Sequence, residues 1–558
     1  MTTAGQLAFT RSNDTATRVG PDGYVEKVRT NLVLQSNTFD TTWTNLNTTE
    51  TSGQAGYDGT NNAWLISATA ASAGIIQGIS QSGMVTQSVY AKAGTSNWMM
   101  FRLSDGTNNN LTYVDLTNRV FGNTGANFVR GTITDVGGGW SRVSVTINQA
   151  SYNNVYFYIA KGDSDLSTTN ETIFIQNAQL EAGDIATDYI PTTTAAVSVG
   201  PVANLPRLNY PINSDGSVGC PSLLLEPQRT NLVTFSEQFD NAGWTKGAVS
   251  VTANNAVSPD GYTNADLITA DGTNTQHFVL QTQTQSAKTI SFFVKMGTQR
   301  FVQILTSGSA DALANYDLQT GAVGGLGSAS TASMVDYGNG WWRIILTSSD
   351  ALTGNAYLCY ADSLVQGRYP STTSTGTIWA WGAMAENGAT YASSYVKTLG
   401  AAVTRGADAC SKTGISSLIG QTEGTLFVEF EYQPTSVSQS IAISDGTSAN
   451  RIDIRLPTSN QLAAVVVSGG VVQVSMAAAG TMTQGQRVKA AFAYKNNDFA
   501  LYQNGVLVVS AAAGTVAGTI SRYGFDLNGA QFLNSPVNQA LLFKTRLSNQ
   551  ELQDLTTL

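Results

Sequence analysis

The chain contains two copies of one sequence pattern, about 200 residues apart. Arg-Thr-Asn-Leu-Val at 29–33 returns unchanged at 229–233, and Gly-Trp-Ser-Arg-Val at 139–143 returns as Gly-Trp-Trp-Arg-Ile at 340–344. Further matches keep nearly the same spacing, so the similarity covers a whole folding unit and the chain must fold as tandem modules. Tandem copies are more typical of weak binding units and fibre segments than of catalytic centres, because linked copies raise avidity.

The composition of the chain favours strands over helices. Charged residues are 12% of the sequence, about half of the roughly 25% that is usual in soluble globular proteins. Thr, Ser, Asn and Gly supply the polarity instead, and they suit extended strands and tight turns better than surface helices. A chain of 558 residues is also too long for one hydrophobic core, which predicts roughly three to four domains.

Alternating apolar and polar residues dominate the local pattern. The segments 86–92 and 289–295 alternate with period two, and Asp-Gly, Asn-Gly and Gly-Gly pairs punctuate such segments as turns. Helical character is confined to the C-terminus, where Ser548 and Glu551 form a capping box before a short apolar helix. Many short strands with regular turns predict an all-β protein built of β-sandwiches.

The ends of the repeats set the predicted domain boundaries. We expect an N-terminal arm at 1–28, repeat one at 29–200, a linker at 201–228, repeat two at 229–405 and a different β-module at 406–558.

Charge and hydropathy exclude several classes of function. A net charge of −9 and a pI near 4.8 argue against a nucleic-acid partner, which needs clustered Lys and Arg. No apolar run approaches the ~18–20 residues that span a bilayer, so we expect no membrane insertion. The first residues carry no secretory signal pattern, which predicts a protein that stays in the cytosol or leaves the cell by lysis, as virion parts do.

The chain is poor in residues that bind metals or act as nucleophiles. Its three cysteines form no CxxC pair, and its single histidine, His277, has no counterpart in repeat one. We therefore expect no cofactor, no metal centre and no catalytic triad. The acidic loop 162–165 leaves a structural calcium ion open, although its spacing is far from an EF-hand.

Several segments resemble bacteriophage structural proteins. Residues 219–232 (GCPSLLLEPQRTNL) resemble the GLLLEPQRTNL phrase of phage tail and fibre proteins, and residues 178–192 resemble the closing strand of their carbohydrate-binding-like jelly rolls. Residues 500–507 are similar to a hairpin of laminin-G/concanavalin-like sandwiches, and 547–556 to the terminal helix of phage versions of that fold. Together the resemblance covers nearly all of the chain after residue 28.

This resemblance implies two tandem jelly-roll β-sandwiches followed by a laminin-G/concanavalin-like β-sandwich. It implies a virion protein, assembled in the host cytoplasm, that acts as a fibre in host-surface adhesion through multivalent carbohydrate binding. Tail fibre is favoured over head fibre. The implied partners are host cell-surface glycans, other virion proteins and further copies of the chain, with a homotrimer favoured. The N-terminal arm is the predicted virion attachment.

Two alternatives stay open beside the adhesin. One is a head fibre or capsid decoration protein with no specific ligand, and the other is a polysaccharide depolymerase. Glu429 and Glu431 alternate on one strand face, as paired carboxylates of a glycoside hydrolase would. Concanavalin-like glucanases carry Glu-x-Asp-x-x-Glu, however, and here Pro434 stands where the second Glu should be. We therefore expect no enzymatic activity.

Matching strand faces of the two copies provide the candidate sugar-binding residues. Tyr90 and Lys92 share a face in repeat one, and Phe293 and Lys295 share the corresponding face in repeat two. An aromatic ring beside a cation can hold a sugar, because the ring packs on the C–H face while polar groups bind the hydroxyls. An ordinary half-exposed sheet face, or a contact with a neighbouring module or subunit, would give the same pattern.

Two tryptophans complete the candidate site. Trp64 aligns with Asp266 of repeat two, and a position that accepts Asp is expected to be partly exposed. Trp381 lies on a strand face with Trp379, where a core stripe and a binding groove are both consistent with the pattern.

Overall fold

The structure is a computed structural model that describes residues 7–558 except 214, 284–286, 310–311, 329, 353, 389 and 517. The chain divides into two compact units. We call Val28–Gly200 the first-copy unit, and Met1–Lys27 together with Pro201–Leu558 the main unit.

The main unit begins with a short arm. Its strands are β1 (Ala8–Thr10), β2 (Thr17–Val19) and β3 (Val25–Lys27). β2 and β3 form an antiparallel hairpin, and its turn is closed by a hydrogen bond from Gly20 N to Tyr24 O of 2.8 Å. Gly23 has a φ of +82° in this turn, a conformation that glycine adopts without strain.

The first-copy unit is a β-sandwich of twelve strands. They are β4 (Arg29–Asn31), β5 (Thr44–Leu46), β6 (Thr48–Gln54), β7 (Ala63–Ala68), β8 (Gly74–Ala93), β9 (Trp98–Ser104), β10 (Asn109–Asp115), β11 (Val120–Thr124), β12 (Phe128–Gly137), β13 (Trp140–Ala160), β14 (Thr172–Ala182) and β15 (Val197–Val199).

Two long strands pass through both layers of this sandwich. Residues 83–92 of β8 pair with 140–149 of β13 beside β12 and β14, whereas residues 74–78 pair with 154–158 beside β5 and β9. The register shifts between Gln149 and Asn154, and such bulges bend and twist a strand. Alternate residues point into the shared core, which explains why the period-two pattern is so clear.

The second copy separates the same architecture into two sheets. After the linker strands, its elements form one eight-stranded and one six-stranded sheet that enclose a core containing Phe292, Ile344 and Tyr360. The linker strands are β16 (Leu208–Asn209) and β17 (Ser222–Leu224). The strands of the copy are β18 (Arg229–Asn231), β19 (Thr245–Gly247), β20 (Val249–Val257), β21 (Thr263–Ala270), β22 (Thr275–Gln276), β23 (Phe278–Thr282), β24 (Ala287–Met296), β25 (Phe301–Thr306), β26 (Leu313–Asp317), β27 (Ala322–Gly324), β28 (Ser330–Asp336), β29 (Trp341–Leu352), β30 (Asn355–Ala361), β31 (Ser371–Thr372), β32 (Thr377–Glu386) and β33 (Val403–Arg405).

The third module is a sandwich of two seven-stranded sheets. Its strands are β34 (Ala409–Lys412), β35 (Glu423–Glu431), β36 (Gln439–Ser444), β37 (Arg451–Leu456), β38 (Gln461–Ser468), β39 (Val471–Thr481), β40 (Arg487–Lys495), β41 (Asp498–Gln503), β42 (Val506–Ala511), β43 (Arg522–Gly524) and β44 (Pro536–Phe543). A 3-10 turn covers Ser416–Leu418.

Segments distant in sequence extend both sheets of this module. The arm strand β1 pairs with β34 in one sheet. In the other sheet, the linker strand β17 pairs with β44 and also with the linker strand β16 at the sheet edge. The arm and the linker thus belong structurally to the main unit, while the expected module boundaries remain predictions.

The predicted all-β class is confirmed. The sole α-helix among the described residues is α1 (Asn549–Thr556), and its predicted capping box is present: Glu551 N donates to Ser548 Oγ at 3.3 Å, and Ser548 N donates to Glu551 Oε2 at 2.7 Å. Leu552 of this helix is buried against the sandwich. Across the described part of the chain, no helix has both the length and the apolar character needed to cross a membrane.

Candidate functional site

The outer face of the eight-stranded sheet in the second copy carries a cluster of aromatic side chains. Phe293, Trp341, Trp381 and Tyr395 pack together there, with the ring centroids of Phe293 and Trp381 5.1 Å apart. These side chains project outward because their neighbours along each strand fill the sandwich core. An aromatic sheet face of this kind must be covered or must serve as a binding surface.

The N-terminal arm covers most of this aromatic face. Val25 belongs to the aromatic cluster, and its N–H donates to Pro259 O at 2.8 Å. The Lys27 ammonium lies 5.2 Å from the Trp381 ring centroid and forms ion pairs with Glu237 at 2.8 Å and Asp260 at 2.6 Å.

The arm buries two of the predicted sugar-binding residues, so the accessible surface that the prediction requires is missing there. Phe293 and Trp381 are fully buried, so neither ring can contact a ligand in this structure. The strand pattern correctly placed Phe293 outside the sandwich core. It could not show that residues 17–27, far away in sequence, pack over that face.

The expected partial exposure of Trp64 is wrong. Trp64 is only 7% exposed and belongs to the core of the first-copy unit, where its Nε1–H donates to Asn37 O at 3.0 Å. Its counterpart Asp266 is buried as well, and its carboxylate accepts the N–H groups of Phe239 at 2.7 Å and Asn254 at 2.9 Å. The position is interior in both copies, because each side chain bonds the backbone of a neighbouring loop.

The buried Asp266 carboxyl gives a pH-dependent prediction. Burial raises its pKa from 3.8 to about 7, with the Asn254 N–H acting in the opposite direction. The folded state holds the Asp266 proton more tightly than the unfolded state does. The protonated carboxyl therefore stabilises the fold most below pH 3.8, and this stabilisation declines as the pH rises to about 7. The full decline is on the order of 4 kcal/mol.

We therefore expect Asp266→Asn to flatten the pH dependence of the unfolding free energy of the main unit between pH 4 and pH 8. Urea denaturation across this range is the measurement. The exposed Asp362→Asn serves as the charge-matched control and should keep the wild-type slope. Equal slopes for Asp266→Asn and the wild type would contradict a raised pKa at this position.

Tyr90 and Lys92 of the first copy are half-buried and already have aromatic partners. The Tyr90 ring stacks on Tyr57 with centroids 3.7 Å apart and an interplanar angle of 2°. The Lys92 ammonium lies 5.9 Å from the Phe174 ring centroid. Whether this face binds a sugar remains a prediction, although one face of the Tyr90 ring is occupied by Tyr57.

Lys295 lines a recess in the main unit, which we call the Lys295 recess. The cavity has a volume of about 420 Å³, within the ~300–1,000 Å³ typical of small-ligand sites. Four turns surround it: the arm turn, the linker hairpin, the turn between β20 and β21, and the turn between β28 and β29. The lining side chains that carry the site's chemistry are Asp22, Tyr24, Lys295, Tyr337, Asn339 and Trp341.

Backbone contacts fix the walls of this recess. Trp341 Nε1 donates to Val257 O at 3.1 Å, and Tyr337 N donates to Trp341 O at 2.9 Å. The Tyr337 ring meets Phe293 edge-on at 4.8 Å. The recess therefore lies at the edge of the aromatic cluster, where Trp341 and Tyr337 line it and the arm does not cover them completely.

The polar groups of the recess are only partly engaged. Asp22 Oδ1 accepts the Tyr24 N–H at 3.1 Å, which leaves its other carboxylate oxygen available. The Lys295 ammonium has no hydrogen-bond or ion-pair partner among the residues that the structure describes. Tyr24 is 37% exposed and packs beside Gly261.

Only one of the six recess residues was predicted from sequence. Lys295 was identified, whereas Asp22, Tyr24, Tyr337, Asn339 and Trp341 were missed as ligand contacts. The Asn-Gly pair at 339–340 was an available sequence signal, because it marks a turn directly before Trp341. In the structure Gly340 has a φ of +79° and lies beside the Lys295 stem. Nothing in the local sequence of Tyr24 connects it with this turn.

The paired carboxylates of the third module lie on β35. Glu429 is buried and forms an ion pair with Arg487. Burial raises the pKa of Glu431, against a hydrogen bond from Gln433 at 3.1 Å. The Arg487 ion pair gives Glu429 a structural role at the sheet surface.

The described residues contain no group of three or more His, Cys, Asp or Glu side chains arranged to hold a metal ion. In the acidic loop considered for calcium, Asp163 accepts the Asn123 N–H at 2.8 Å, and Asp165 accepts the Ser167 N–H at 2.8 Å. Both carboxylates already accept backbone N–H groups.

No family model matches the sequence, and no curated protein matches it. Among solved structures, the chain is similar to the carbohydrate-binding module CBM40 of a Ruminococcus gnavus IT-sialidase, at 14% identity and a TM-score of 0.23, over 26% of this chain and 86% of that one. It is also similar to the LG1-3 region of the laminin α2 chain, at 11% identity and a TM-score of 0.18, over 83% and 93%. Nothing in the comparisons indicates a bacteriophage protein.

The comparison with solved structures contradicts the expectation that the chain is not an enzyme. A Trypanosoma rangeli sialidase, in complex with the inhibitor DANA, matches over 98% of both chains at 9% identity and a TM-score of 0.22. Likeness at this level assigns no activity or substrate to this chain.

Proposed function

We propose that the chain is a carbohydrate-binding β-sandwich protein whose ligand occupies the Lys295 recess. The observation that carries this proposal is a cavity of about 420 Å³ that combines aromatic walls with an ammonium group that has no partner in the described part of the chain. Sugar rings suit such a cavity, because they present an apolar C–H face together with hydroxyl groups.

Each recess group has a part in this binding mode. The half-exposed Tyr24 ring packs against the C–H face of a sugar. Lys295 donates to sugar oxygens, and the free carboxylate oxygen of Asp22 accepts from hydroxyls. Tyr337 and Trp341 form the supporting wall and are held by their own backbone contacts.

We further propose that this chain serves as a bacteriophage fibre, with a tail fibre favoured, that adheres to host-surface glycans. The fibre-like phrase at 219–232 and the closing segment at 178–192 support this assignment. The recess uses the arm and the linker, each of which occurs once in the chain, so each chain supplies one recess of this kind. Multivalent adhesion then depends on oligomerisation, for which a homotrimer is favoured.

The test of sugar binding is a glycan array with the full chain, followed by calorimetry on the glycan that binds. We expect Tyr24→Ala to weaken binding about tenfold, or ~1.4 kcal/mol, through loss of ring packing. Tyr24→Phe keeps the ring and should stay near the wild-type affinity. A decoration protein with no ligand would leave the array blank.

Val365→Ala is the control for an exposed apolar residue. Val365 is 86% exposed and does not line the recess, so this variant should bind like the wild type. Wild-type affinity in Tyr24→Ala would place the sugar somewhere else on the protein. The fibre assignment is tested separately, by locating the chain on purified particles with a specific antibody in electron micrographs.

A further inference from the structure

We infer that the Lys295 recess selects acidic saccharides, with the ligand's carboxylate bound by Lys295 and its hydroxyls bound by Asp22. This inference rests on the proposed function and names the class of sugar within it. Its basis is the distribution of charge in the recess.

The Lys295 ammonium has no counter-ion among the residues that the structure describes. The side chain is half-buried, and its stem lies along the Gly340 turn, where a Cβ built on Gly340 would sit 3.6 Å from Lys295 Cε. None of the described carboxylates forms an ion pair with it. A positioned cation at the wall of a cavity attracts an anionic group, and partial burial strengthens that attraction relative to open water.

The carboxylate of Asp22 narrows the class of anion. It lines the same recess without an ion pair to Lys295. A compact polyanion such as inorganic phosphate would be attracted by Lys295 and repelled by Asp22. A saccharide with one carboxylate satisfies both groups, because its hydroxyls donate to Asp22 while its carboxylate accepts from Lys295.

The equivalent lysine of the first copy has different surroundings. The Lys92 ammonium faces the Phe174 ring at 5.9 Å, a cation–π arrangement that already engages it. Charge selectivity is therefore assigned to the second copy, and Lys92 provides an internal comparison.

The experiment compares matched acidic and neutral sugars on the full chain by calorimetry. One pair is trigalacturonic acid and its carboxyl-reduced form, and the other pair is sialyllactose and lactose. For at least one pair, we expect the acidic member to bind about tenfold or more tightly than its neutral partner. Lys295→Gln should abolish this difference, and Lys295→Arg should restore most of it.

Two further lysine variants control for net charge. Lys544→Gln removes the same charge from an exposed site in the third module, and Lys92→Gln removes it from the first copy. Both should keep the preference for the acidic sugar. Circular dichroism of every variant checks that the fold is intact.

The outcomes separate the two proposals. Equal binding of acidic and neutral sugars, reduced by Tyr24→Ala, would overturn the acidic preference and leave sugar binding in place. An acidic preference that survives Lys295→Gln would also overturn the inference. Absence of binding for both pairs, with a blank glycan array, would overturn both proposals.

Discussion

Replacement of Glu226 by alanine is expected to destabilise the main unit by about 3–5 kcal/mol. Glu226 is buried in a cluster with Arg207 at 2.8 Å and Arg405 at 3.0 Å. It also accepts hydrogen bonds from Ser394 N at 2.7 Å and Ser394 Oγ at 2.6 Å. Its removal leaves two buried guanidinium groups with fewer counter-charges, which is the costly way to break a buried ion pair.

The ion-pair cluster extends beyond Glu226. Arg207 also pairs with Asp408, and Asp408 pairs in turn with Arg11 of the arm at 3.2 Å. The cluster thus ties the arm, the linker and the entry to the third module together.

Acid should weaken the ion pairs of Glu226 with Arg207 and Arg405. Burial alone raises the pKa of Glu226, but Arg405, Arg207 and the Ser394 hydrogen bonds lower it from 4.5 to about 2. Its contribution is therefore complete above pH 4.5 and is lost as the pH falls to about 2. Chemical denaturation of wild type and Glu226→Ala at pH 7 and pH 3 measures both effects. A loss below 1 kcal/mol at pH 7 would contradict the role assigned to this cluster.

The second large effect is expected for Asn231→Ala, at about 3–5 kcal/mol in the main unit. Asn231 Nδ2 donates to Ala383 O at 3.0 Å and to Val396 O at 2.8 Å. Its Oδ1 accepts the N–H groups of Val233 at 3.1 Å and Ala385 at 3.0 Å. Alanine leaves four buried backbone groups without this partner, at about 1 kcal/mol each.

The repeat supplies the matched comparison for this variant. Asn31 makes the same contacts in the first-copy unit, with Nδ2 bonds to Ala178 O at 3.1 Å and Ile190 O at 2.8 Å. Asn31→Ala should therefore destabilise the first-copy unit by a similar amount. Thr230→Val removes a single half-buried hydroxyl contact, to Thr404 at 2.8 Å, and should cost about 1 kcal/mol. Differential scanning calorimetry of the three variants tests this order, and a loss for Asn231→Ala no larger than that for Thr230→Val would contradict it.

The sequence predicted the strands well because their cause is local. Alternation in 86–92 and 289–295 reports which residues face a sandwich core, and β8 and β24 follow it. Ser548 and Glu551 predicted the C-terminal helix for the same reason. The repeated Asn of the Arg-Thr-Asn-Leu phrase has a long-range explanation instead, since Asn231 bonds Ala383 and Val396, which lie far from it in sequence.

The candidate site was harder to predict because its walls come from segments that lie far apart in the sequence. The face of Phe293 and Trp381 is covered by Val25 and Lys27, which lie in the arm. Strand periodicity shows that a side chain points away from one core, but it does not show what packs on the other side. Lys295 was predicted from the same strand pattern, and it lines the recess because it lies at the end of this face that the arm does not cover.

The comparison of the two copies was informative in one place and misleading in another. The paired lysines Lys92 and Lys295 mark equivalent strand positions, and the structure gives them different surroundings. The exchange of Trp64 for Asp266 suggested exposure, yet both side chains are buried because each bonds a neighbouring loop. A substitution between copies therefore reports exposure only when buried polar contacts have been ruled out.

The most direct test of the account is a crystal structure of the full chain soaked with the saccharide that binds best in solution. The account predicts a sugar ring against Tyr24, with its carboxylate at the Lys295 ammonium and hydroxyls at Asp22. Well-defined sugar density elsewhere on the chain, with an empty Lys295 recess, would contradict it.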